Sequence, residues 1–276
     1  MKFGLLIIGD EILSGKRADK HLPKVIELLA ARGLGLAWAR YVGDDPERIT
    51  ADLRDAFAAA DRGEAVFSCG GIGATPDDHT RQCAGRALGV PLALHPEARD
   101  LIIGRMRDTA AESGVPFDLE RADNVHRLNM GVFPQGAEII PNPYNKIAGF
   151  AIRADAAADP SGGVYFVPGF PVMAWPMIEW VLDRHYMGVQ RPQAVSEKSV
   201  IVFGAMEAAL TPLMEDIEAR FTGVKVFSLP SVDHPEWGRH IDLGVKGDPE
   251  QLDTAYAALL AGLQSMQAKL GPELVR

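Results

Sequence analysis

Two adjacent carboxylates, Asp77 and Asp78, follow three closely spaced glycines in the segment 68–80 (SCGGIGATPDDHT). An apolar run ending at Phe67 predicts a buried strand before this segment, and a helix is predicted from about residue 78 to residue 88. A glycine-rich turn between a strand and a helix lets the backbone approach a ligand and directs free N–H groups at an anion. Because two carboxylates would repel a bare phosphate, a phosphorylated ligand here is expected to need a divalent cation between it and them. The alternative explanation of the pair is a helix cap.

Two further acidic pairs follow predicted strands. Asp10-Glu11 comes after a strand over residues 3–8, and Asp44-Asp45 comes after a strand over residues 34–42. The carboxyl ends of parallel strands share one edge of a sheet, and ligands bind in the crevice at that edge. We therefore expect the three acidic pairs to converge beside the glycine-rich turn, as in an oxygen site for a Mg²⁺-type ion. An ordinary turn or N-cap role remains the alternative for Asp44.

Other groups near the presumed site have two interpretations each. The segment 168–171 (PGFP) follows the last strand predicted for the first part of the chain. Its backbone either forms a second wall of the crevice or is a rigid turn into the next helix. Thr75 and Thr80 either donate hydrogen bonds to a phosphate or cap the helix.

The order of the predicted elements indicates two domains. Strands alternating with helices of 11–15 residues predict βαβ units and a largely parallel sheet. A polar, proline-containing connector over residues 188–197 is the predicted boundary, which gives domains over 1–187 and 198–276. In the second domain we predict a strand (199–203), a helix (208–221), two strands (224–229 and 240–245) and a helix (249–270). This βαββα order predicts a small two-layer α+β domain.

Composition narrows the classes of partner and chemistry. The 276 residues carry a net charge of −9 and no run of Lys or Arg, which argues against nucleic acid or an anionic membrane as the main partner. The apolar run at the N-terminus is too short for a signal peptide or a membrane span, so a cytoplasmic location is expected. Two cysteines, Cys69 and Cys83, fit neither a disulfide framework nor a zinc site. Neither has an evident activating base, so covalent nucleophilic catalysis is not expected.

Four segments together resemble the signatures of the MoaB/Mog molybdopterin-binding fold. They are residues 8–15 (IGDEILSG), 42–45 (VGDD), 70–80 (GGIGATPDDHT) and 167–171 (VPGFP). Within that fold the chain is most similar to the N-terminal region of CinA-type competence/damage-inducible proteins, which Asn142-Pro143 and residues 148–151 (AGFA) also match. The resemblance extends over about residues 3–180, and the downstream βαββα unit is similar to the small middle domain of CinA. One departure is Asp19-Lys-His21, where the related branch has Asp-x-Asn.

The resemblance implies a fold and a class of ligand. It implies a three-layer α/β sandwich with a mostly parallel sheet, which binds molybdopterin or a nucleotide at its glycine-rich edge. In adenylyltransferase members, aspartates that match Asp44 and Asp78 are central to the site and Mg²⁺ assists. CinA-type relatives are associated with hydrolysis of dinucleotide pyrophosphates such as ADP-ribose. Relatives of this fold commonly self-associate, so a homo-oligomer is expected.

These considerations give a predicted function and a predicted site. We expect a protein that binds molybdopterin or a nucleotide phosphate, whose activity would be metal-dependent pyrophosphatase hydrolysis of an ADP-ribose-like nucleotide. The alternatives are a non-catalytic molybdopterin-binding module and a molybdopterin adenylyltransferase, which the extra domain disfavours. Asp44 and Asp78 are the predicted catalytic residues, and Asp44, Asp77 and Asp78 the predicted ligands of a divalent cation, Mg²⁺ by preference. The predicted contacts to the pterin or nucleotide are Gly9, Asp10, Glu11, Gly15, Gly70, Gly71, Gly73, Thr75, Thr80, Pro168 and Gly169.

Overall fold

The chain forms two compact units, residues 1–190 and 191–276. The computed structural model describes residues 1–158, 160–189 and 196–275. The predicted connector over residues 188–197 lies for the most part outside the described residues. Within the described residues, no helix is both long and apolar enough to cross a bilayer.

A six-stranded sheet forms the centre of the first unit. Its strands are β1 (Phe3–Ile8), β2 (Leu36–Val42), β3 (Ala65–Cys69), β6 (Glu138–Ile140), β7 (Gly149–Arg153) and β8 (Gly163–Val167), in the order β2-β1-β3-β8-β7-β6. The first four strands in that order are parallel. At one edge, β7 pairs antiparallel with β8, and β6 pairs antiparallel with β7. A separate two-stranded antiparallel sheet pairs β4 (Leu92–Leu94) with β5 (Val132–Pro134).

Helices cover both faces of this sheet. They are α1 (Asp10–Leu13), α2 (His21–Ala30), α3 (Pro46–Asp61), α4 (Thr80–Leu88), α5 (Pro96–Glu112), α6 (Ala122–Arg127) and α7 (Pro171–His185), with a 3₁₀ helix at Leu128–Gly131. Side chains alternate along β1, so that Leu5 and Ile7 join one core with α2 and α7, while Leu6 and Ile8 join the other with α3 and α4. The predicted three-layer α/β sandwich is confirmed.

Local sequence signals account for several helix ends. Asp45 caps α3 by accepting a hydrogen bond from the Arg48 N–H at 2.7 Å, and Pro46 occupies the first helical position. Gly89 ends α4 in the left-handed conformation at φ 71°. The short helix α1, directly after β1, was not predicted.

The second unit is a four-stranded antiparallel sheet with two helices. Its elements are β9 (Ser196–Phe203), α8 (Glu207–Arg220), β10 (Val224–His234), β11 (Gly238–Gly247), α9 (Pro249–Ser265) and β12 (Lys269–Val275), and the strand order is β10-β11-β9-β12. Apolar residues of both helices and of the sheet form one core, including Leu210, Leu243 and Leu259. This unit is a two-layer α+β structure.

The predicted end of the last helix is wrong. Helix α9 ends at Ser265 rather than at residue 270, and the chain then forms β12, which pairs antiparallel with β9. Gln267 takes a left-handed conformation at φ 55°, and the Ala268 N–H donates to the Leu263 carbonyl at 3.0 Å. A non-glycine residue therefore makes the reversal that glycine usually makes. The order is βαββαβ instead of βαββα.

Candidate functional site

The carboxyl ends of β1 and β3 define the position of the site. These strands are neighbours, and the helix that follows β1 packs on the opposite face of the sheet from the helix that precedes β3. Such a switch in connection leaves a crevice at the strand ends, where open α/β sheets bind ligands. A cleft of about 680 Å³ opens there, lined by residues that follow β1, β2, β3 and β8.

The turn after β3 is built so closely that two of its positions require glycine. Gly70 has φ 108°, and its N–H donates to the Val167 carbonyl at 3.0 Å. A Cβ atom at Gly70 would lie 2.2 Å from the backbone oxygen of Ile8. Gly71 has φ 69°, and a Cβ there would lie 2.1 Å from the Thr80 hydroxyl. Both glycines line the cleft, so backbone rather than side chain faces a ligand.

Thr80 supports this turn from behind. Its hydroxyl donates to the Gly70 carbonyl at 3.1 Å, and its backbone N–H donates to the Gly71 carbonyl at 3.0 Å. The side chain is fully buried and is not part of the cleft lining. Because its hydroxyl is engaged inside the protein, Thr80 does not take the predicted position beside a ligand.

Asp78 closes the loop that follows the glycines. One carboxylate oxygen accepts hydrogen bonds from the Thr75 N–H at 2.8 Å and from the Thr75 hydroxyl at 2.5 Å. A Cβ atom at Gly73 would lie 2.6 Å from that same oxygen. The residue that precedes α4 is His79, and its side chain makes no capping bond. Asp78 therefore shapes the loop and does not cap the helix, the alternative that the sequence left open.

Asp44 and Asp10 hold each other across the ends of β1 and β2. The Asp10 N–H donates to the Asp44 carboxylate at 2.8 Å, and the Asp44 N–H donates to the Asp10 carboxylate at 3.1 Å. Asp44 lines the cleft together with Glu11, whereas Asp10 does not. The capping role that the sequence allowed for Asp44 belongs to its neighbour Asp45.

Negative charge is concentrated on this side of the cleft. Burial raises the pKa of Asp44 above its ordinary value, and the nearby charges of Asp10, Glu11 and Asp77 raise it further, against a hydrogen bond from the Asp10 backbone that lowers it. The pKa of the exposed Asp77 is lowered instead, first by hydrogen bonding with Thr75. We call Glu11, Asp44, Asp77 and Asp78 the acidic side of the cleft. Its four carboxylates all line the cleft.

The predicted three-carboxylate metal site is not assembled by side chains alone. Asp44, Asp77 and Asp78 all line the cleft. Nevertheless, in the described part of the chain, no three His, Cys, Asp or Glu side chains are grouped so that they could hold a metal ion. Asp78 in addition directs one of its oxygens to Thr75.

Sequence reasoning missed a group of basic and aromatic residues in the lining of the cleft. Lys16, Arg17 and Phe170 all line it, and the Arg17 guanidinium carbon lies 5.7 Å from the centre of the Phe170 ring. We call these three residues the basic side. Gly15, a predicted contact, precedes them and is not itself in the lining. A pair of adjacent cations directly after a signature glycine was the available signal.

A loop between β6 and β7 and the start of α7 supply another part of the lining. Asn142 is buried, and its side-chain amide donates to Asn145 at 2.8 Å and to the Ile147 carbonyl at 2.9 Å. The Asn145 amide in turn lies 3.3 Å from the Met173 sulfur. Asn145, Ile147 and Met173 all face the cleft, so buried hydrogen bonds fix the shape of this wall.

The departure at Asp19-Lys-His21 has a definite structural role. The buried His21 ring donates through Nε2 to the Gly169 carbonyl at 3.0 Å. Asp19 accepts hydrogen bonds from the His21 N–H at 2.8 Å and from the Tyr41 hydroxyl at 2.9 Å. His21 therefore ties the start of α2 to the turn after β8. Pro168 and Gly169 in that turn line the cleft, and their contact with a ligand stays a prediction.

The two cysteines lie in the core and not in the cleft. Both are free thiols with almost no exposed surface. Burial raises the pKa of Cys69 well above its usual range, and the Cys83 sulfur lies 3.1 Å from the Arg86 guanidinium. A thiol that stays protonated is a poor nucleophile.

Comparison with known proteins gives relatives over most of the chain. A family model described as "Probable molybdopterin binding domain" matches residues 4–186. A CinA-like protein from Geobacter metallireducens is 30% identical over 282 aligned residues, which cover 100% of this chain and 61% of the relative. Another, from Anaeromyxobacter sp. (strain K), is 30% identical over 221 residues, which cover 78% of this chain and 49% of the relative. The chain thus spans about half the length of the curated relatives it matches.

A solved structure shares the fold of the first unit. The CinA protein of unknown function from Thermoplasma acidophilum superimposes with a TM-score of 0.53 at 23% identity, over 66% of this chain and 96% of that chain. Together with the matches above, this likeness confirms the resemblance inferred from the four signatures.

Proposed function

Because the chain belongs to the family described as probable molybdopterin binding domain, we propose that its first unit binds a pterin or nucleotide through a phosphate group in the cleft. The observation that carries this proposal is the turn at Gly70 and Gly71, where only glycine fits and the backbone itself faces the cleft. Backbone N–H groups at such a turn favour an anion. A volume of about 680 Å³ suits a ligand of nucleotide size.

Hydrolysis of a nucleotide pyrophosphate is the second candidate function. The observation that favours it is the accumulation of carboxylates around Asp44, whose pKa is raised by burial and by neighbouring charges. A bound divalent cation would relieve that repulsion. Mg²⁺ is commonly held by one or two carboxylates together with substrate phosphates, so Asp44 and Asp77 suffice without a third grouped ligand.

Different residues of the cleft would hold the cation, the phosphates and the loop during hydrolysis. Asp44 and Asp77 would hold the cation, which supplies charge neutralisation and an activated water. The backbone N–H groups of Gly71 and Gly73 would hold the phosphates, since the Gly70 N–H already donates to the Val167 carbonyl. Asp78 would keep the loop after the glycines in its bound shape through Thr75, so that the diphosphate lies in line with the water. No protein nucleophile is needed, in agreement with the buried cysteines.

Turnover is tested by incubating the protein with ADP-ribose, FAD or NAD, with and without Mg²⁺, and measuring AMP by chromatography. A pyrophosphatase releases AMP only with metal, and Asp44→Asn, which removes one of the two carboxylates that would hold the cation, abolishes the release. Asp45→Asn is the matched control, because Asp45 is a neighbouring carboxylate that caps α3 outside the cleft and asparagine caps equally well. Activity retained in Asp44→Asn counts against this mechanism. Absence of AMP alongside measurable ligand binding leaves the binding module as the function.

A further inference from the structure

Lys16 and Arg17 are two adjacent cations that line the cleft of a protein with a net charge of −9. Both side chains are exposed and line the cleft. Among the described residues, neither forms an ion pair with a carboxylate. The Arg17 N–H donates to the Glu11 carbonyl at 2.9 Å, which fixes the backbone of this segment relative to β1. The cations are thus held at the site by backbone contacts while their charges stay available.

Phe170 extends the same surface with an aromatic face. Its side chain is 54% exposed, although it lies directly before α7 in the cleft lining. The Arg17 guanidinium lies 5.7 Å from the ring centre, within the range of a cation–π contact. An exposed ring beside a cleft costs hydrophobic free energy that a stacked ligand ring would recover.

We propose that Lys16, Arg17 and Phe170 form a subsite for a phosphorylated planar heterocycle. Lys16 and Arg17 bind the phosphate monoester or diphosphate, and Phe170 stacks on the heterocycle, whether this is a purine or a pterin. The assignment rests on the proposed function, because it concerns the same cleft. It changes one expectation from the sequence: two cations in the lining of the cleft neutralise a phosphate dianion, so the ligand binds without a divalent metal.

The two cations make the affinity of this subsite for a phosphorylated ligand depend on the salt concentration. Guanidinium and ammonium groups form charge-assisted hydrogen bonds with phosphate oxygens. These side chains are exposed, so salt screens their attraction to the ligand. Affinity for a phosphorylated ligand therefore falls as the salt concentration rises, whereas affinity for the unphosphorylated parent compound does not. The stacking contribution of Phe170 is common to both ligands.

The test is calorimetric titration in EDTA with adenosine, AMP, neopterin and neopterin monophosphate. The wild-type protein should prefer the phosphorylated member of at least one pair, and the pair that binds identifies the heterocycle. In the double variant Lys16→Ala/Arg17→Ala that preference should fall by about tenfold or more, since each lost charge-assisted hydrogen bond is worth roughly a factor of ten. Lys20→Ala is the matched control, because Lys20 is an exposed cation outside the cleft lining.

Two variants separate the parts of the subsite. Phe170→Ala should weaken the phosphorylated and unphosphorylated ligands by the same factor and leave the preference unchanged. A preference for the phosphorylated ligand that survives in Lys16→Ala/Arg17→Ala overturns the subsite, while the proposed function stands. Absence of binding by the wild-type protein in EDTA overturns the metal-free subsite. If ligand also fails to bind with Mg²⁺ present, the proposed function fails with it.

Discussion

The acidic side of the cleft differs from the basic side in how its charges are held. Asp44 and Asp78 accept hydrogen bonds from backbone N–H groups, so their carboxylates are fixed before any ligand arrives. Lys16 and Arg17 have long, exposed side chains, which lose conformational freedom when they bind a ligand. A fixed group determines geometry, whereas a mobile one contributes mainly attraction. We infer that the fixed carboxylates shape the loop that positions a phosphate, whereas the basic side sets how tightly the phosphate is held.

The largest effect is expected when the backbone of the glycine turn is disturbed. Gly70→Ala forces a Cβ to within 2.2 Å of the Ile8 carbonyl oxygen at φ 108°. Because that neighbour is backbone, the turn must shift, at a cost of about 2–4 kcal/mol in unfolding free energy. Ligand binding should be lost. The measurement is urea denaturation alongside ligand titration.

Gly114→Ala provides the comparison for this variant. Gly114 also has positive φ, at 65°, but a Cβ there meets no atom within 4 Å. It should lose only about 1 kcal/mol, from backbone strain alone, and keep full binding. Equal losses of stability in the two variants would show that the close approach to Ile8 has no role.

A smaller effect is expected from the carboxylate that closes the loop. Asp78→Ala removes the acceptor of two hydrogen bonds from Thr75 and should cost about 2 kcal/mol. Thr75→Val keeps the backbone bond and should cost about 1 kcal/mol. Lys16→Ala on the basic side should change stability by less than about 0.5 kcal/mol. If Lys16→Ala destabilises the protein as much as Asp78→Ala does, the basic side is held as firmly as the acidic side.

The change in stability expected for Asp44→Asn is small and has the opposite sign, because this variant should gain stability. The pKa of Asp44 is raised in the folded state, so the native protein binds the proton more tightly than the unfolded chain. The stability contributed by this group is present below its unfolded value of 3.8 and is lost as the pH rises through the folded-state pKa. Asp44→Asn should therefore stabilise the ligand-free protein at pH 7, by less than about 1 kcal/mol because the site is partly solvated.

Urea denaturation at pH 7 and near pH 3.5 measures whether Asp44→Asn raises or lowers the unfolding free energy. The gain in Asp44→Asn should shrink at the lower pH, and Asp45→Asn should show little change at either value. A variant that is less stable than the wild type at pH 7 would mean that the hydrogen bond from Asp10 outweighs the repulsion from the surrounding carboxylates.

The strands and helices of the first unit could be predicted because apolar strand runs and helical patterns alternate along its sequence. Apolar runs such as Phe3–Ile8 stand between helical patterns with clear ends, and the glycines and acidic pairs fall directly after strands. The direction of parallel strands then placed Asp44 and the glycine turn at one edge. The function of individual side chains was less accessible. Thr75 and Thr80 looked alike in sequence, yet one lies in the cleft and the other behind it.

What could not be predicted depends on contacts distant in the sequence. Lys16 and Arg17 follow an unpredicted helical turn, and their position in the cleft lining is set by how this segment packs beside β2 and the residues after β8. The strand β12 was hidden because Gln267, and not glycine, makes the reversal after α9. In both places the local pattern allows several conformations, and tertiary contacts select one.

The most direct test of the central claim is the location of the bound phosphate. Amide chemical-shift mapping of the ¹⁵N-labelled, deuterated protein during titration with AMP reports which backbone N–H groups a ligand reaches. The largest shifts are predicted at Gly71 and Gly73, with smaller ones at Arg17 and Phe170. Saturable shifts confined to the second unit, or none at ligand concentrations that saturate binding, would contradict a phosphate site at the glycine turn.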